Sequence, residues 1–556
     1  MSNTLPEKNL KRGQACYNCR RRKMVRSTVQ HGQLVKVNQP SNQQKCDGVH
    51  PVCGQCARAN RPDDCEYVGE YAQARVQILQ ENIARVEQRI YELEHPTEVP
   101  PVTTVQLHKP YAPAKPLYSP ENDIFRTRSE PPIDMLQTLL DRFLPYASDF
   151  GFFIHVPSFR RSAVKKYPLG HDKRPAPSLL FAACLWGLRF SPPALQVHEP
   201  SCLARTLSLA STDLASSHPY KALHTLQAEI LLAHYFFSSG RFVEGKYHTA
   251  AAVALALSSS LHSIRSANVN APSVGMIPPP RDAVEEGERI HACWMTVILD
   301  NLWATALKQE PARDLRNESR SSSFDTPWPL ELHDYEQGKM HPSARYSQTV
   351  QTFLTGPPET HRMSTMTGLA KGSLLWQQAD KLARSWNPVM PPTQVPIFQA
   401  TFYALDVHIE SFRTALGSPG TVPNPTPAMT RALIVAHSIG HAATIQLHSI
   451  AAVNAVMDSR RKRLSSARAV LEIVAETAPR QGTVNAYINP VMGTVWMIAC
   501  QAVMDEIPQL KVRSPQESMV LTSLLARAVS AMAVFVETCP LLKYQISRIQ
   551  EASRGL

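Results

Sequence analysis

The chain reads as mainly α: a small cysteine-rich module, a short coiled coil, a proline-rich linker and then a large all-α helical body. Three observations carry this. Six of the eleven cysteines fall between residues 16 and 65. Residues 76 to 93 repeat apolar positions every three and four residues. From about Ile133 onward, apolar residues recur at helical spacing in long segments, and strand-like alternation is scarce. Apolar residues make up 43% and charged residues 19%, which suits a buried globular body rather than a disordered one.

Charge is concentrated where the cysteines begin. The formal net charge is +12, and the stretch from Met1 to Arg26 holds Lys8, Lys11, Arg12, Arg20, Arg21, Arg22, Lys23 and Arg26 against a single acid, Glu7. That is the electrostatic footprint of a phosphate-binding segment. The start of the chain is polar, without the apolar core of a secretory signal, and no apolar run reaches the ~18 residues of a membrane span. A soluble, intracellular protein is expected, and in a reducing compartment clustered cysteines point to metal ligation rather than disulfides.

The ligand candidates are Cys16, Cys19, Cys46, Cys53, Cys56 and Cys65. A C-x2-C pair puts two thiolates on one metal, and zinc prefers four sulfurs at about 2.3 Å. Six thiolates complete two tetrahedra when two of them bridge both ions, so two zinc ions are expected. The neighbouring cations favour the thiolate form and offset the cluster's negative charge. A zinc knob for protein contacts is the alternative, but such modules usually use eight ligands with histidine among them, and lack a basic run after the first pair.

Several stretches resemble the fungal zinc binuclear cluster family of transcription factors: CYNCRRRK at 16–23, KCDG at 45–48, PVCGQC at 51–56 and CEY at 65–67. The resemblance makes Cys16 and Cys53 the bridging ligands, with Cys19 and Cys46 completing one site and Cys56 and Cys65 the other. It also implies that a short helix near Cys19 presents Arg22 and Lys23 to CGG-like triplets in double-stranded DNA. Guanine O6 and N7 are paired acceptors that suit those side chains. Arg20, Arg21 and Lys45 would hold phosphates and set register. The same basic run suits a nuclear import signal, and the two roles are compatible.

One departure stands out. The family allows about six residues between the second and third cysteines, whereas 26 separate Cys19 from Cys46. Removing Val25 to Gln44, 20 residues, restores six and joins Met24 to Lys45. Every valine codon begins with GT, a glutamine codon can end in AG, and 20 residues are 60 nucleotides. The segment therefore reads as a retained intron, which sequencing of the mature transcript would test.

The heptads follow the cluster directly. Val76, Ile83 and Ile90 fall at a, and Leu79, Val86 and Leu93 at d, a pattern favouring a parallel two-stranded coil and hence a homodimer. Arg89 at g and Glu94 at the following e could pair across it. An amphipathic helix docked on its own body is the alternative. We divide the chain into residues 1–70 (cluster, with insert 25–44), 71–95 (coil), 96–132 (proline-rich linker) and 133–556 (helical body). Residues 66 to 75, between the cluster and the first heptad, would set the half-site spacing.

Residues from about 133 to 330 resemble the fungal-specific transcription factor middle domain. LLDRF at 139–143, GFFIHVPSF at 151–159, SLLFAAC at 178–184, ERIHACW at 288–294 with Asp300, and FDTPWP at 324–329 carry the likeness. It implies a regulatory rather than catalytic body, a nuclear location and contact with the transcription machinery.

Within the body, helices are expected through Ala222 to Tyr235 and Ile290 to Leu302. Another is expected to start at Ser514, with Pro515 in its first turn and Glu517 closing a capping box. The stretch from Gly417 to Pro427 either splits the body into lobes or forms a long surface loop. No phosphate loop, nucleophile elbow or HExxH helix is present, so no catalytic residues are assigned. His437 and His441 lie one turn apart without an evident third ligand. Cys184, Cys202, Cys293, Cys500 and Cys539 read as packing residues. A metabolite receptor or a recruiting scaffold is the competing class of function; in either, the cluster would bind zinc without choosing a DNA sequence.

Overall fold

The computed structural model describes residues 46, 49, 52–60, 62, 65, 83, 84, 87, 123–127, 130–268, 277–312, 324–358, 363–416, 426–450, 457–477, 487–536 and 539–554. They fall into two compact units, residues 1–114 and 115–556. Among the described residues secondary structure is helical, with one isolated bridge between Ser266 and Tyr346 and no strand. The first unit contributes a five-residue helix, α1 (Gly54–Arg58).

In the second unit we number the helices of eight residues or more. Its first half holds α2 (Ile133–Phe143), α3 (Val156–Ala163), α4 (Pro177–Arg189), α5 (Glu199–Thr212), α6 (Lys221–Ser238), α7 (Phe242–Ser258) and α8 (Ala283–Ala306). The second half holds α9 (Thr365–Ser385), α10 (Val395–Ala415), α11 (Pro427–Leu447), α12 (Met457–Thr477), α13 (Met492–Arg513), α14 (Pro515–Met532) and α15 (Pro540–Ser553).

The helices begin where local chemistry starts them. Pro177 opens α4 at a position whose N–H has no partner in a helix anyway. The Asp282 carboxylate accepts the Glu285 N–H at 2.8 Å and starts α8. The Ser364 hydroxyl accepts from Thr367 N at 3.1 Å for α9, and that of Thr426 from Met429 N at 3.2 Å for α11.

Helix α4 is the hub of the first half. Every residue from Ser178 to Leu188 is buried, as expected of a helix apolar on all sides. It packs on α2, α5 and α6. Gly187 permits the closest approach: a Cβ there would lie 2.4 Å from the Leu139 carbonyl oxygen. Phe150 rests on the Trp186 ring at 3.9 Å between centroids, and the Trp186 indole N–H donates to the Leu231 carbonyl at 3.1 Å.

One apolar cluster runs through the whole unit. In sequence order, α8 packs on α9, α9 on α11, α11 on α12, and α12 on α13 and α14. Distant residues tie the end of the chain back to its beginning. Tyr487 lies 4.3 Å from Phe150, ring to ring. Arg431 donates to both carboxylate oxygens of Asp149 at 2.8 and 3.0 Å and to the Pro145 carbonyl at 3.0 Å. The Cys539 thiol donates to the Ser238 carbonyl at 3.4 Å. Helices on both sides of the Gly417–Pro427 stretch, α10 and α11, pack together in this core.

Two expectations need correction. Helix α14 starts after Ser514 with Pro515 in its first turn, but the serine side chain makes no capping hydrogen bond. Ser514 also closes α13, its N–H bonded to the Leu510 carbonyl at 2.8 Å. The single-residue corner therefore fixes its backbone, with ψ at 79°. Moreover, the segment Pro515–Phe535 is long and apolar enough to cross a membrane by length and composition. Half of that window is buried, with Leu521, Leu525, Ala528 and Met532 turned into the core at helical spacing. Its apolar character is thus used in packing against α12, α13 and α15.

Two substitutions test this architecture. Gly187→Ala is expected to lower stability by about 1–3 kcal/mol through overpacking, and an unchanged urea midpoint would contradict the close approach to Leu139. Asp149→Ala removes the partner of a mostly covered guanidinium that keeps its bond to Pro145, and should cost about 1–3 kcal/mol, measured in the same assay.

Candidate metal centre

Around Cys53 the chain builds a thiol cluster from short-range bonds. Cys53 caps α1, and its sulfur accepts the Cys56 N–H at 3.4 Å while its carbonyl accepts the same group at 3.0 Å. The C-x2-C spacing thereby turns both sulfurs to one side of the first helical turn. Asn60, with φ of +52°, reverses the chain after α1. A turn from Pro62 to Cys65, closed at 3.1 Å, then brings the third cysteine back. The Cys53 N–H donates to the Cys65 sulfur at 3.1 Å.

The sulfurs of Cys53, Cys56 and Cys65 lie within 4.8 Å of one another, and all three residues are buried. Cys46, half-buried, packs against them together with Val52. Tetrahedral zinc with bonds of about 2.3 Å sets neighbouring sulfurs about 3.8 Å apart, so the trio needs only a small contraction. The two N–H···S bonds favour thiolate over thiol. Soft sulfur donors gathered on one side of a turn fit a tetrahedral soft metal ion, and this cluster could hold one.

The other residues singled out from sequence fall differently. Cys16, Cys19, Arg20, Arg21, Arg22, Lys23 and Lys45 lie outside the described residues, as does the insert from 25 to 44. Of the heptad positions, Val76, Leu79, Val86, Ile90 and Leu93 also lie outside them. Ile83 is helical, with 56% of its surface exposed, and the helical Ala84 and Glu87 are exposed too.

In the large unit, the groups weighed for chemistry are used in packing. His441 on α11 is held neutral: burial, then Arg413 and His437, press its pKa down to about 3. A neighbouring guanidinium opposes a metal cation there. Cys184, Cys202, Cys500 and Cys539 are buried; burial raises all four thiols, that of Cys500 to about 12 and that of Cys539 to about 11. Such thiols are poor nucleophiles. His291 Nε2 donates to the Leu330 carbonyl at 2.7 Å, while Cys293 lines a separate cavity of about 30 Å³. These two residues face different neighbours and form no pair.

Residues 140–387 match the family model of the fungal specific transcription factor domain. The matched stretch starts within α2, ends just after α9, and includes the hub helix α4. No curated protein matches the chain.

Metal content separates the two groups of cysteines. In the purified full chain, Cys56→Ser and Cys65→Ser should each lower bound metal measured by mass spectrometry, and Cys184→Ser and Cys500→Ser should leave it unchanged. Equal metal in all four variants would remove the cluster as a metal site.

Proposed function

We propose that the chain is a sequence-specific DNA-binding regulator of transcription by RNA polymerase II, acting in the nucleus as a homodimer. The observation that carries this reading is the gathering of Cys53, Cys56 and Cys65 in a chain whose residues 140–387 match the fungal specific transcription factor domain. The basic run from Arg20 to Lys23 supplies the charge that DNA binding requires.

Two zinc ions sit on six cysteines in this reading. Cys16 and Cys53 bridge them, Cys19 and Cys46 complete one tetrahedron, and Cys56 and Cys65 complete the other. Arg22 and Lys23 reach guanine edges in CGG-like triplets, while Arg20, Arg21 and Lys45 rest on phosphates. Residues 76 to 93 form the dimer coil through Val76, Leu79, Ile83, Val86, Ile90 and Leu93. The exposed isoleucine at position 83 gains cover in such a coil. The body from 133 to 556 regulates and recruits the transcription machinery.

The insert weakens recognition more than ligation. Lengthening a loop from 6 to 26 residues costs only about 1.3 kcal/mol by the logarithmic closure law. Structural zinc is worth about 10–16 kcal/mol, so both ions can bind. The basic segment, however, loses its tight anchor at Cys46, and base reading depends on that register.

The test is selection of DNA sites from a random pool by the zinc-loaded chain, with and without residues 25 to 44. The deleted form should enrich paired CGG-like triplets. Arg22→Ala or Lys23→Ala should then lose about 1–3 kcal/mol of discrimination at a guanine. Arg20→Ala should weaken all sequences alike and reduce the salt slope by about one. Enrichment of no sequence by either form would overturn the reading.

A further inference from the structure

The helical body holds a cleft of about 880 Å³. One wall is α3 with the loop that follows it, and the other is made by the starts of α6 and α8. The floor is apolar and buried, formed by Phe153, Ile154, Phe159 and Leu223. A volume of this size falls in the usual range for small-molecule sites, about 300–1,000 Å³.

Two polar groups stand over that floor. Glu288 accepts the His155 N–H at 2.7 Å through Oε1, and among the described residues Oε2 has no hydrogen-bond partner. Burial raises its carboxyl to about 7, so near neutral pH it can donate as well as accept. His224 accepts the Ala176 N–H at Nδ1, 3.0 Å away. Burial, then His218, presses its pKa down to about 3, so the ring is neutral and its proton sits on Nε2. That N–H has no partner among the described residues.

The rim is cationic. Arg161, Lys165 and Lys173 line it with exposed side chains. Arg161 touches the Ser158 hydroxyl at 3.2 Å and Lys173 lies 5.4 Å from the Tyr167 ring centre. Among the described residues none of the three meets a carboxylate. Most of the other charges in the cleft are already engaged. Arg174 is paired with Glu130 and Arg281 with Glu285, and Asp282 caps α8; Asp172, beside a His171 whose Nδ1 accepts the Lys173 N–H, remains an acid in the lining. Three cations without a carboxylate partner outnumber Asp172 over a concave, low-dielectric floor, and together they focus a positive field into the cleft.

We propose that this cleft binds a small organic anion, its phosphate or carboxylate held by Arg161, Lys165 and Lys173 and its polar body reaching Glu288 and His224. The shared chemistry is a negatively charged head on a hydroxyl- or carbonyl-bearing frame. Solvated surface charge would account for the rim alone, but not for an apolar-floored concavity with a donor and a carboxyl at its base. The site lies within the stretch matched to the regulatory domain, and the inference stands whether or not the cluster reads DNA.

Thermal melting of the full chain tests it, because a ligand that binds only the folded state raises Tm by mass action. The probes are citrate, glucose 6-phosphate and adenosine monophosphate, each against sodium chloride of equal ionic strength, with glucose and adenosine as neutral counterparts. At least one anion should raise Tm where its neutral counterpart and the salt do not. Lys165→Gln should weaken that anion's apparent affinity about tenfold, the scale of one charge-assisted contact. The triple change Arg161→Gln, Lys165→Gln and Lys173→Gln should abolish the shift; all three side chains are exposed, so the unliganded variants should melt with the parent. Glu288→Gln separates head from body: it should alter the ranking of the anions and leave the charge dependence intact. No shift with any of the three anions overturns the proposal, as does a shift that survives the triple change. A carboxylate source is indicated if citrate acts, and a phosphorylated one if the sugar phosphate or nucleotide acts.

Discussion

Complete burial of residues Ser178–Leu188 in one apolar helix, α4, is the constraint on which the helical body depends. Eleven consecutive residues of that helix are buried, so it must be surrounded before it is stable. Its neighbours α2, α5 and α6 cover three sides, and Tyr487 adds an aromatic ring from far along the chain, 6.0 Å from Trp186. Burying side chains of this size is worth about 1.5–3 kcal/mol each relative to exposure. That gain holds the segment before residue 387 and the helices after it in one core.

This dependence gives the matched domain a physical boundary different from its sequence boundary. The family match stops at residue 387, yet α9, which ends just before it, packs most extensively on α11. Arg431 on α11 reaches back to Asp149, and both side chains are mostly covered. The C-terminal helices therefore complete the fold of the matched segment. The cleft between α3, α6 and α8 sits in the half that this scaffold stiffens, where a ligand meets preformed walls.

The cysteine cluster works on another scale. A turn of five helical residues and a reversal at Asn60 suffice to bring three sulfurs within 4.8 Å. With so small an apolar core, bonding to a metal would supply folding energy that burial cannot. Short-range geometry thus serves the small module, and long-range packing serves the body.

The sequence by itself determined whatever rests on neighbours a few residues apart. The helical class followed from apolar spacing. The thiol pair at Cys53 and Cys56 followed from C-x2-C, the helix start at Pro515 from turn residues, and the helical run through Ile290 to Leu302 from periodicity, although that helix begins earlier, at Ala283. The Asp282 cap of α8 was missed in the sequence, although it is a local side-chain-to-backbone bond. Tertiary structure decided the rest, because the deciding partners lie far apart in the chain. Ser514 lost its capping bond to a corner between two helices. The apolar segment from 515 to 535 proved to be a core helix once its inward face met α12, α13 and α15. The cleft joins residues from 153 to 288, none unusual alone. That Arg174 is paired there is settled only because packing brings it Glu130, 44 residues away.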